Sequence, residues 1–497
     1  MGRSAAILVV LASLLGLLWL GDTPWVYDEP LLVSNALSAN AHGTWVAHGL
    51  MGTRSVPYGP IPTWIYQLLL RLTHDPIMLL GLRVVLCQGL AAAGLLWLGR
   101  LLPLHRWFLV TLPLSPYFWM FGRLAWDNSF TIPVAAVLVP SYLAFQAGRS
   151  RFSLAVFLTC LGLLPLIHLM SLAIVVPFAL HLLLVHRRAL LQHWLVVVGA
   201  AVPFALVGGL YLSSLYADYL GPTAGVTAKS IFRLNVEGML FPWLGSGWLT
   251  SLGFGEHFAG PAWQAAQPWA WRALGAISWL ALPLAWFGIW LCARRAWSCL
   301  RRLADGFGAF ATELAGLSLT EHAMLLCLGV LLCQMLLGVL TGTFGLPHYF
   351  NSTWIVHALF VWLGFDALVR RVPRLRWWLP VQAVSLLLFL GSFAWSMHAL
   401  GGARWVRHGP TIANQIEVAR ALAALPPHSG LLVEVDHDRL LQNSVMSLAE
   451  LLGLEIPPVR LATNPAALSG VAPLWYAIRY APGSPPYAAR VRLERLK

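Results

Sequence analysis

Charged residues are scarce in this sequence. Only 10% of the 497 residues are Asp, Glu, Lys or Arg, and the mean hydropathy is +0.72, whereas a soluble globular chain usually carries about 25% charged residues. So few polar side chains cannot cover a water-exposed surface. The composition therefore excludes an ordinary soluble domain and predicts a protein that lies in the lipid bilayer.

Acidic residues are rarer still, with 19 Asp and Glu against 32 Lys and Arg and a net charge of +13. A basic nucleic-acid-binding protein gathers its arginines on one accessible face, but here they fall in short groups between apolar runs, which excludes a nucleic-acid partner. The six cysteines lie in apolar runs or in an arginine-rich stretch. None has the spacing of zinc ligands, so neither a zinc site nor disulfides in the exported loops are expected.

Long apolar runs are abundant. About eleven of them are long enough to be predicted as membrane spans, at residues 5–20, 77–98, 107–121, 130–145, 152–167, 169–185, 190–212, 273–291, 323–340, 354–369 and 377–395. Arginines cluster at every second connection, at Arg3, Arg100, Arg106, Arg149, Arg151, Arg187, Arg188, Arg294, Arg295, Arg301, Arg302, Arg370, Arg371, Arg374 and Arg376. The positive-inside rule places these connections and the N-terminus in the cytoplasm. The predicted fold class is an all-α polytopic membrane protein.

The C-terminal residues 401–497 differ from the rest, with more prolines and more charge. They contain a helical pattern at 411–425 and a β-like run at 430–436. After an odd number of spans this segment is expected to form a small extracytoplasmic α/β domain. Residues 1–400 are then the transmembrane domain, with a first extracytoplasmic loop at 22–76 and a large one at 213–272.

The unusual residues lie in the segments that this topology places outside. Asp28 and Glu29 follow the first span, ahead of the proline-rich run "GPIPTWIY" at residues 59–66. The outward segments also contain Arg54, Tyr58, Arg123, Asp127, His168, Lys229, His348 and Tyr349.

This layout resembles the GT-C class of integral membrane glycosyltransferases, specifically the bacterial aminoarabinose transferases and protein O-mannosyltransferases that use polyprenyl-phosphate sugars. The shared features are the acidic pair, the proline-rich return to the membrane, an acidic residue in the second loop, a histidine at the third outward turn and a late aromatic motif. They cover roughly residues 1–400. The resemblance implies an inverting transferase that moves a sugar from a polyprenyl-phosphate donor to an acceptor hydroxyl of a lipid, glycan or protein, at the outer face of the bacterial inner membrane.

Such a reaction needs a base for the acceptor hydroxyl and donors or cations for the departing phosphate. Asp28 is the first candidate for the base, with Glu29 and Asp127 positioning the acceptor or a divalent metal ion such as Mg²⁺ or Mn²⁺. The candidate substrate-binding residues are Arg54, Tyr58, Arg123, His168, Lys229, His348 and Tyr349. Relatives commonly carry Arg-Tyr where this chain has His348-Tyr349, and an unperturbed histidine is charged only near or below pH about 6.5.

Two other function classes stay open. A transporter or lipid flippase would place ionisable residues near the bilayer midplane and often show repeated halves. Here the acidic residues lie in outward loops and no internal repeat is visible. A non-catalytic relative that binds a lipid-linked sugar would share the layout without turnover.

Several polar residues also have a structural interpretation. Arg123 and Asp127 would form an ion pair at a hairpin tip, and His168 would bond to a backbone carbonyl between helices. Asp436, His437 and Asp438 would form a charged turn after a strand, and Asp366 would pair with a cytoplasmic arginine. Arg83 would face a cavity for a lipid phosphate. The glycosylation sequon at Asn351 would be coincidental.

Overall fold

Helices dominate the computed structural model, which describes residues 3–26, 28–52, 56–217, 234–248, 253–342, 346–435, 438–462 and 474–496. The α-helices up to residue 400 are α1 (Arg3–Leu14), α2 (Asp28–Ala41), α3 (Ile61–Leu69), α4 (Pro76–Leu101), α5 (Arg106–Thr111), α6 (Pro116–Phe121), α7 (Thr131–Gly148), α8 (Arg151–Ile167), α9 (Leu172–Gln192), α10 (Trp194–Leu215), α11 (Gly245–Trp248), α12 (Phe254–Ala266), α13 (Trp269–Ile277), α14 (Ala281–Arg301), α15 (Phe307–Ala315), α16 (Leu319–Thr341), α17 (Trp354–Arg371) and α18 (Trp378–Leu400).

Seven helical segments of the described chain are long and apolar enough to cross a membrane: Pro76–Leu101, Asn128–Gly148, Leu169–Gln192, Trp194–Leu215, Trp269–Asp305, Leu319–Thr341 and Pro373–Leu400. Two shorter apolar segments are Arg3–Leu17 and Arg151–Ile167. Because apolar spanning helices recur along the chain, the predicted fold class, an all-α polytopic membrane protein, is confirmed.

The predicted span at 107–121 is wrong as one continuous helix. The structure has two six-residue helices there, α5 and α6, separated by residues 112–115. Pro113 and Pro116 lack a backbone N–H to donate within a helix. Pro116 also disfavours a helical conformation in the preceding Ser115, which is extended, with ψ at 135°. Ser115 then caps α6, since its hydroxyl accepts a hydrogen bond from the Phe118 backbone N–H at 3.1 Å. The apolar composition predicted a span, but the prolines divide it.

The helices α7 and α17 form the centre of the bundle. All residues from Trp354 to Phe365 in α17 are buried. The contact between α17 and α14 is so close that a Cβ at Gly288 would lie 2.0 Å from the Phe360 carbonyl oxygen. Nearer the C-terminal end of α17, Asp366 forms an ion pair with Arg370 at 2.7 Å, which confirms that Asp366 pairs with an arginine.

The chain after α18 forms a small α/β unit. Its elements are β1 (Gly402–Ala403), β2 (Gly409–Pro410), α19 (Ile412–Ala423), β3 (Gly430–Glu434), α20 (Asp438–Leu451), β4 (Arg460–Ala462), β5 (Trp475–Tyr480) and β6 (Val491–Arg495). The sheet order is β4-β3-β5-β6, with β3 parallel to β4 and β5, and β6 antiparallel to β5. The helix predicted at 411–425 is therefore confirmed as α19, and the strand predicted at 430–436 is confirmed over residues 430–434 as β3.

This unit packs against the segment that precedes the acidic pair. The Ile412 N–H donates to the Thr23 carbonyl oxygen, and the Gln415 side chain donates to the Trp25 carbonyl oxygen, both at 3.0 Å. In addition, α20 packs along α2. The C-terminal unit thus holds the first loop on the side from which α2 begins.

Candidate functional site

The acidic pair opens α2, with Asp28 and Glu29 in its first turn. Carboxylates are favoured there by the helix dipole, and Pro30 is tolerated because the first N–H groups of a helix have no partner within the helix. Glu29 is only 1% exposed, and its Oε2 has no hydrogen-bond partner among the described residues. Burial, with the neighbouring Asp28, raises the pKa of Glu29 well above its usual value, while burial alone raises the pKa of half-buried Asp28.

Asp127 joins this pair from the loop between α6 and α7. It is 2% exposed; Oδ1 accepts a hydrogen bond from the Asn128 N–H at 2.6 Å, and Oδ2 has no partner in the described chain. Burial and the nearby Asp28 carboxylate raise the pKa of Asp127 to about 8. Like charges in a water-poor site cannot all ionise. Asp28, Glu29 and Asp127 are here called the acidic cluster, and within it Asp127, whose pKa is raised to about 8, retains its proton at neutral pH.

The second loop is fixed from two sides. The guanidinium of fully buried Arg83 donates to the Gly122 and Phe121 carbonyl oxygens from α4. On the other side, the Asn351 side chain donates to Asn128 Oδ1 at 2.9 Å. These bonds satisfy buried polar groups and hold Asp127 in place. Asn351 is 1% exposed, so its role in this contact supports the interpretation of the sequon as coincidental.

Arg83 thus lies in the bundle interior beneath this loop. Its Nε has no partner among the residues described, and the guanidinium lies 5.0 Å from the centre of the Phe130 ring. The buried hydroxyl of Tyr66 is close enough to interact electrostatically with Arg83 and with Glu29.

Histidines lie across Trp126 from the acidic cluster. The Trp126 ring is close to the Glu29 carboxyl and packs edge-on against His348, with ring centres 5.6 Å apart. His348 interacts in turn with His168, whose ring lies 4.2 Å from that of Tyr58. Burial lowers the pKa of His168 and of His348 to about 3, so both imidazoles are neutral at neutral pH.

His168 is positioned by the break between α8 and α9. Its Nδ1 accepts a hydrogen bond from the Met170 N–H at 3.3 Å. The contact is with a backbone amide, whereas the structural interpretation expected a carbonyl. The Ser171 hydroxyl bonds to the His168 carbonyl oxygen at 2.6 Å. These local bonds orient the ring toward Tyr58 at the proline-rich return of the first loop.

A further histidine and an arginine extend this group. His257 of α12 interacts electrostatically with His348 and with Arg407, and Arg407 donates to the His257 ring, 2.9 Å from Nε2. Burial, Arg407 and His348 together lower the pKa of His257 to about 2. The basic cluster, defined as His168, His257, His348 and Arg407, therefore includes a residue from the C-terminal unit.

The other candidate residues make different contacts from those expected or lie outside the described residues. Arg123 does not pair with Asp127: its Nη2 donates to the Trp19 carbonyl oxygen at 2.6 Å, and its guanidinium lies 4.3 Å from the centre of the Trp119 ring. The ring of Tyr349 packs against that of His348, with ring centres 4.3 Å apart. Four residues considered in the sequence lie outside the described residues: Arg54, Lys229, Asp436 and His437.

An apolar groove of about 500 Å³ lies between α8 and α10. Its lining includes Leu158, Leu161, Pro165, Leu166, Phe204 and Tyr211. The Tyr211 hydroxyl donates to the Pro57 carbonyl oxygen at 2.7 Å, next to Tyr58. A Cβ at Gly59 would lie 1.9 Å from the Leu166 carbonyl oxygen, so only glycine allows this close approach. The groove therefore ends beside Tyr58 and His168.

Sequence reasoning left Trp126 and Arg407 out of the site. Trp126 is next to Asp127, and a tryptophan beside a candidate acid in a short loop between apolar runs was a usable signal. Arg407 lies far away in the sequence, in a segment outside the resemblance, and no local pattern distinguishes it. No group of three or more His, Cys, Asp or Glu side chains in the described residues could hold a metal ion.

Comparison with known proteins finds similar solved structures only. No family model and no curated protein matches the sequence. The apo crystal structure of ArnT from Cupriavidus metallidurans is 13% identical, with a TM-score of 0.49, over 95% of this chain and 92% of that one. The structure of the same protein bound to undecaprenyl phosphate is 12% identical, with a TM-score of 0.45, over 96% and 93%. The chain is thus similar to ArnT over nearly its whole length, and at this identity the likeness assigns no activity or site residue to it.

Proposed function

We propose that this protein is an inverting glycosyltransferase that moves a sugar from a polyprenyl-phosphate donor to an acceptor hydroxyl at the outer face of the membrane. The observation that carries the proposal is the arrangement of two opposed clusters around Trp126, carboxyls on one side and imidazoles with a guanidinium on the other. Group transfer to a hydroxyl with loss of a phosphate requires these two kinds of group close together.

Within the acidic cluster, Asp28 is the best candidate for the base. Glu29 and Asp127 are almost fully enclosed, and the pKa of Asp127 is raised to about 8. Asp127 is therefore protonated at neutral pH and can donate a hydrogen bond, and burial shifts the pKa of Glu29 in the same direction. Asp28 is half-buried, and the causes of its raised pKa do not include a neighbouring carboxylate. It is thus the carboxyl that ionises most readily and meets an acceptor from solvent.

The reaction would then be a single displacement. The acceptor oxygen forms a bond to the anomeric carbon as Asp28 takes its proton, and the bond from that carbon to the phosphate oxygen breaks with its electron pair. The sugar leaves the carrier with inverted configuration, and the polyprenyl phosphate departs as a monoester. The apolar groove between α8 and α10 supports a lipid carrier, since it ends beside the basic cluster at Tyr58 and His168.

Asp28→Asn tests this proposal, because it keeps size and hydrogen-bonding capacity but removes the basicity of the carboxylate. Loss of a general base typically lowers turnover by about a hundredfold to ten-thousandfold. The matched control is Asp75→Asn, since Asp75 is an exposed helix cap that accepts from the Met78 N–H at 2.7 Å.

Cells that lack the gene would be complemented with wild type or either variant, and their lipid-linked sugars and envelope glycans measured by mass spectrometry. We expect Asp28→Asn to accumulate the donor and lack the modification, as the empty strain does, while Asp75→Asn behaves as wild type. Transfer by Asp28→Asn within about threefold of wild type would exclude Asp28 as the base. No difference between the empty strain and wild type would contradict a transferase.

A further inference from the structure

Arg407 reaches the candidate site from outside the helical bundle. It lies in the turn between β1 and β2, after the last span. Its guanidinium donates to the His257 ring, 2.9 Å from Nε2, and Trp405 of the same turn donates from Nε1 to the His257 carbonyl oxygen at 2.9 Å. A side-chain bond and a backbone bond to one residue of α12 therefore fix this turn, and with it the direction of Arg407.

The charge of the basic cluster depends on this arginine. Burial lowers the pKa values of the imidazoles of His168 and His348 to about 3 and that of His257 to about 2. All three rings are neutral at neutral pH, whereas a guanidinium stays protonated in proteins. Among the described members of the cluster, Arg407 is thus the one that carries a positive charge at neutral pH.

We propose that Arg407 is a substrate-binding residue that takes the phosphate of the lipid-linked donor, with His257 holding its guanidinium toward His348. The inference rests on the proposed transferase function and extends it, because it assigns the donor phosphate to a residue of the C-terminal unit. A guanidinium bonds to two phosphate oxygens at once. A neutral imidazole can donate one further N–H, which gives His348 a supporting role.

The positions of the two clusters also orient the donor. The acidic cluster would repel an anionic phosphate wherever one of its carboxyls is ionised. Trp126 lies between that cluster and His348. The phosphate is therefore drawn to the Arg407 side, and the sugar lies across Trp126, toward Asp28. The lipid chain enters from the groove that ends near Tyr58.

The test uses the full chain in lipid nanodiscs, with undecaprenyl phosphate and undecaprenol as probes that differ only in the phosphate. Wild type, Arg407→Gln and the control Arg404→Gln are titrated with each probe. Arg404 lies in the same turn, but its guanidinium stacks 4.2 Å from the centre of the Tyr480 ring, within the C-terminal unit. Melting temperatures verify that each variant is folded.

We expect Arg407→Gln to bind undecaprenyl phosphate about 10- to 100-fold more weakly than wild type, the range for losing hydrogen bonds to a charged group. Its affinity for undecaprenol should be unchanged, and Arg404→Gln should match wild type for both probes. A merely structural role for Arg407 would weaken both probes alike and overturn the inference, as would a variant that keeps the wild-type preference for phosphate. Wild type without any preference for phosphate would contradict the proposed function itself.

A second measurement does not depend on the variant folding. In wild type, phenylglyoxal labelling of Arg407, followed by peptide mass spectrometry, should be suppressed by undecaprenyl phosphate but not by undecaprenol. Labelling of Arg407 that is equal with both lipids would overturn the assignment. Labelling of Arg404 should respond to neither lipid.

Discussion

The buried carboxyl of Asp127 should make the protein less stable as the pH rises. Asp127→Asn should remove this pH-dependent loss of stability. Its pKa rises from 3.8 to about 8 on folding, so its stabilising contribution is fully present below pH 3.8 and is lost as the pH rises through 8. Each pH unit between the unfolded and the folded pKa corresponds to 1.36 kcal/mol. The carboxyl therefore lowers the free energy of unfolding by about 4 kcal/mol at pH 7 relative to pH 3.8. Asparagine keeps the Oδ1 contact with the Asn128 N–H and does not titrate.

The assay is the apparent melting temperature in detergent from pH 4 to pH 9. The variant and wild type should melt together near pH 4, and the variant should gain several degrees over wild type by pH 8.5. Glu434→Gln is the control of opposite sign, because the hydrogen bond from Arg479 lowers the pKa of Glu434. The contribution of that carboxylate is present above its usual pKa and lost in acid, and an exposed pair contributes only about 0–1 kcal/mol. A difference between Asp127→Asn and wild type that does not change with pH would refute the assigned protonation.

Two further outcomes test topology and packing. An alkaline phosphatase fused after Lys497 should be active, because the arginine pattern places the C-terminus outside; activity from a cytoplasmic reporter at the same point would overturn the span count. Gly288→Leu should abolish folded protein in size-exclusion chromatography, since a Cβ there would lie 2.0 Å from the Phe360 carbonyl oxygen and overpacking costs about 1–3 kcal/mol or more. Gly89→Leu, where a Cβ meets nothing within 4 Å, should yield wild-type amounts, and equal yields of the two variants would contradict the tight contact.

The fold could be predicted from sequence wherever composition alone determines structure. Runs of apolar residues long enough to cross a bilayer have few alternatives to a helix, and the strand at 430–434 follows a clear turn signal. The division of 107–121 was missed because hydropathy does not record that Pro113 interrupts a helix. Composition likewise cannot show that α17 is enclosed on all sides.

The candidate site was only partly accessible to the same reasoning. Asp28, Glu29 and Asp127 could be named because acids are conspicuous in an apolar chain, and the structure brings the three together. Arg123 seemed to belong with Asp127 because only three residues separate them, yet its side chain turns to the Trp19 carbonyl oxygen. Contacts between residues remote in sequence, such as that of Arg407 with His257, depend on tertiary packing and leave no local pattern.

The hydrogen bonds that join the C-terminal unit to the first loop couple the positions of the two segments. Ile412 and Gln415 bond to the carbonyl oxygens of Thr23 and Trp25, and the candidate base Asp28 follows Trp25 by only three residues. A shift of the C-terminal unit is therefore transmitted to Asp28 through a chain segment too short to absorb it. A C-terminal unit with a different α19 would therefore alter the position of the candidate base as well as its own surface.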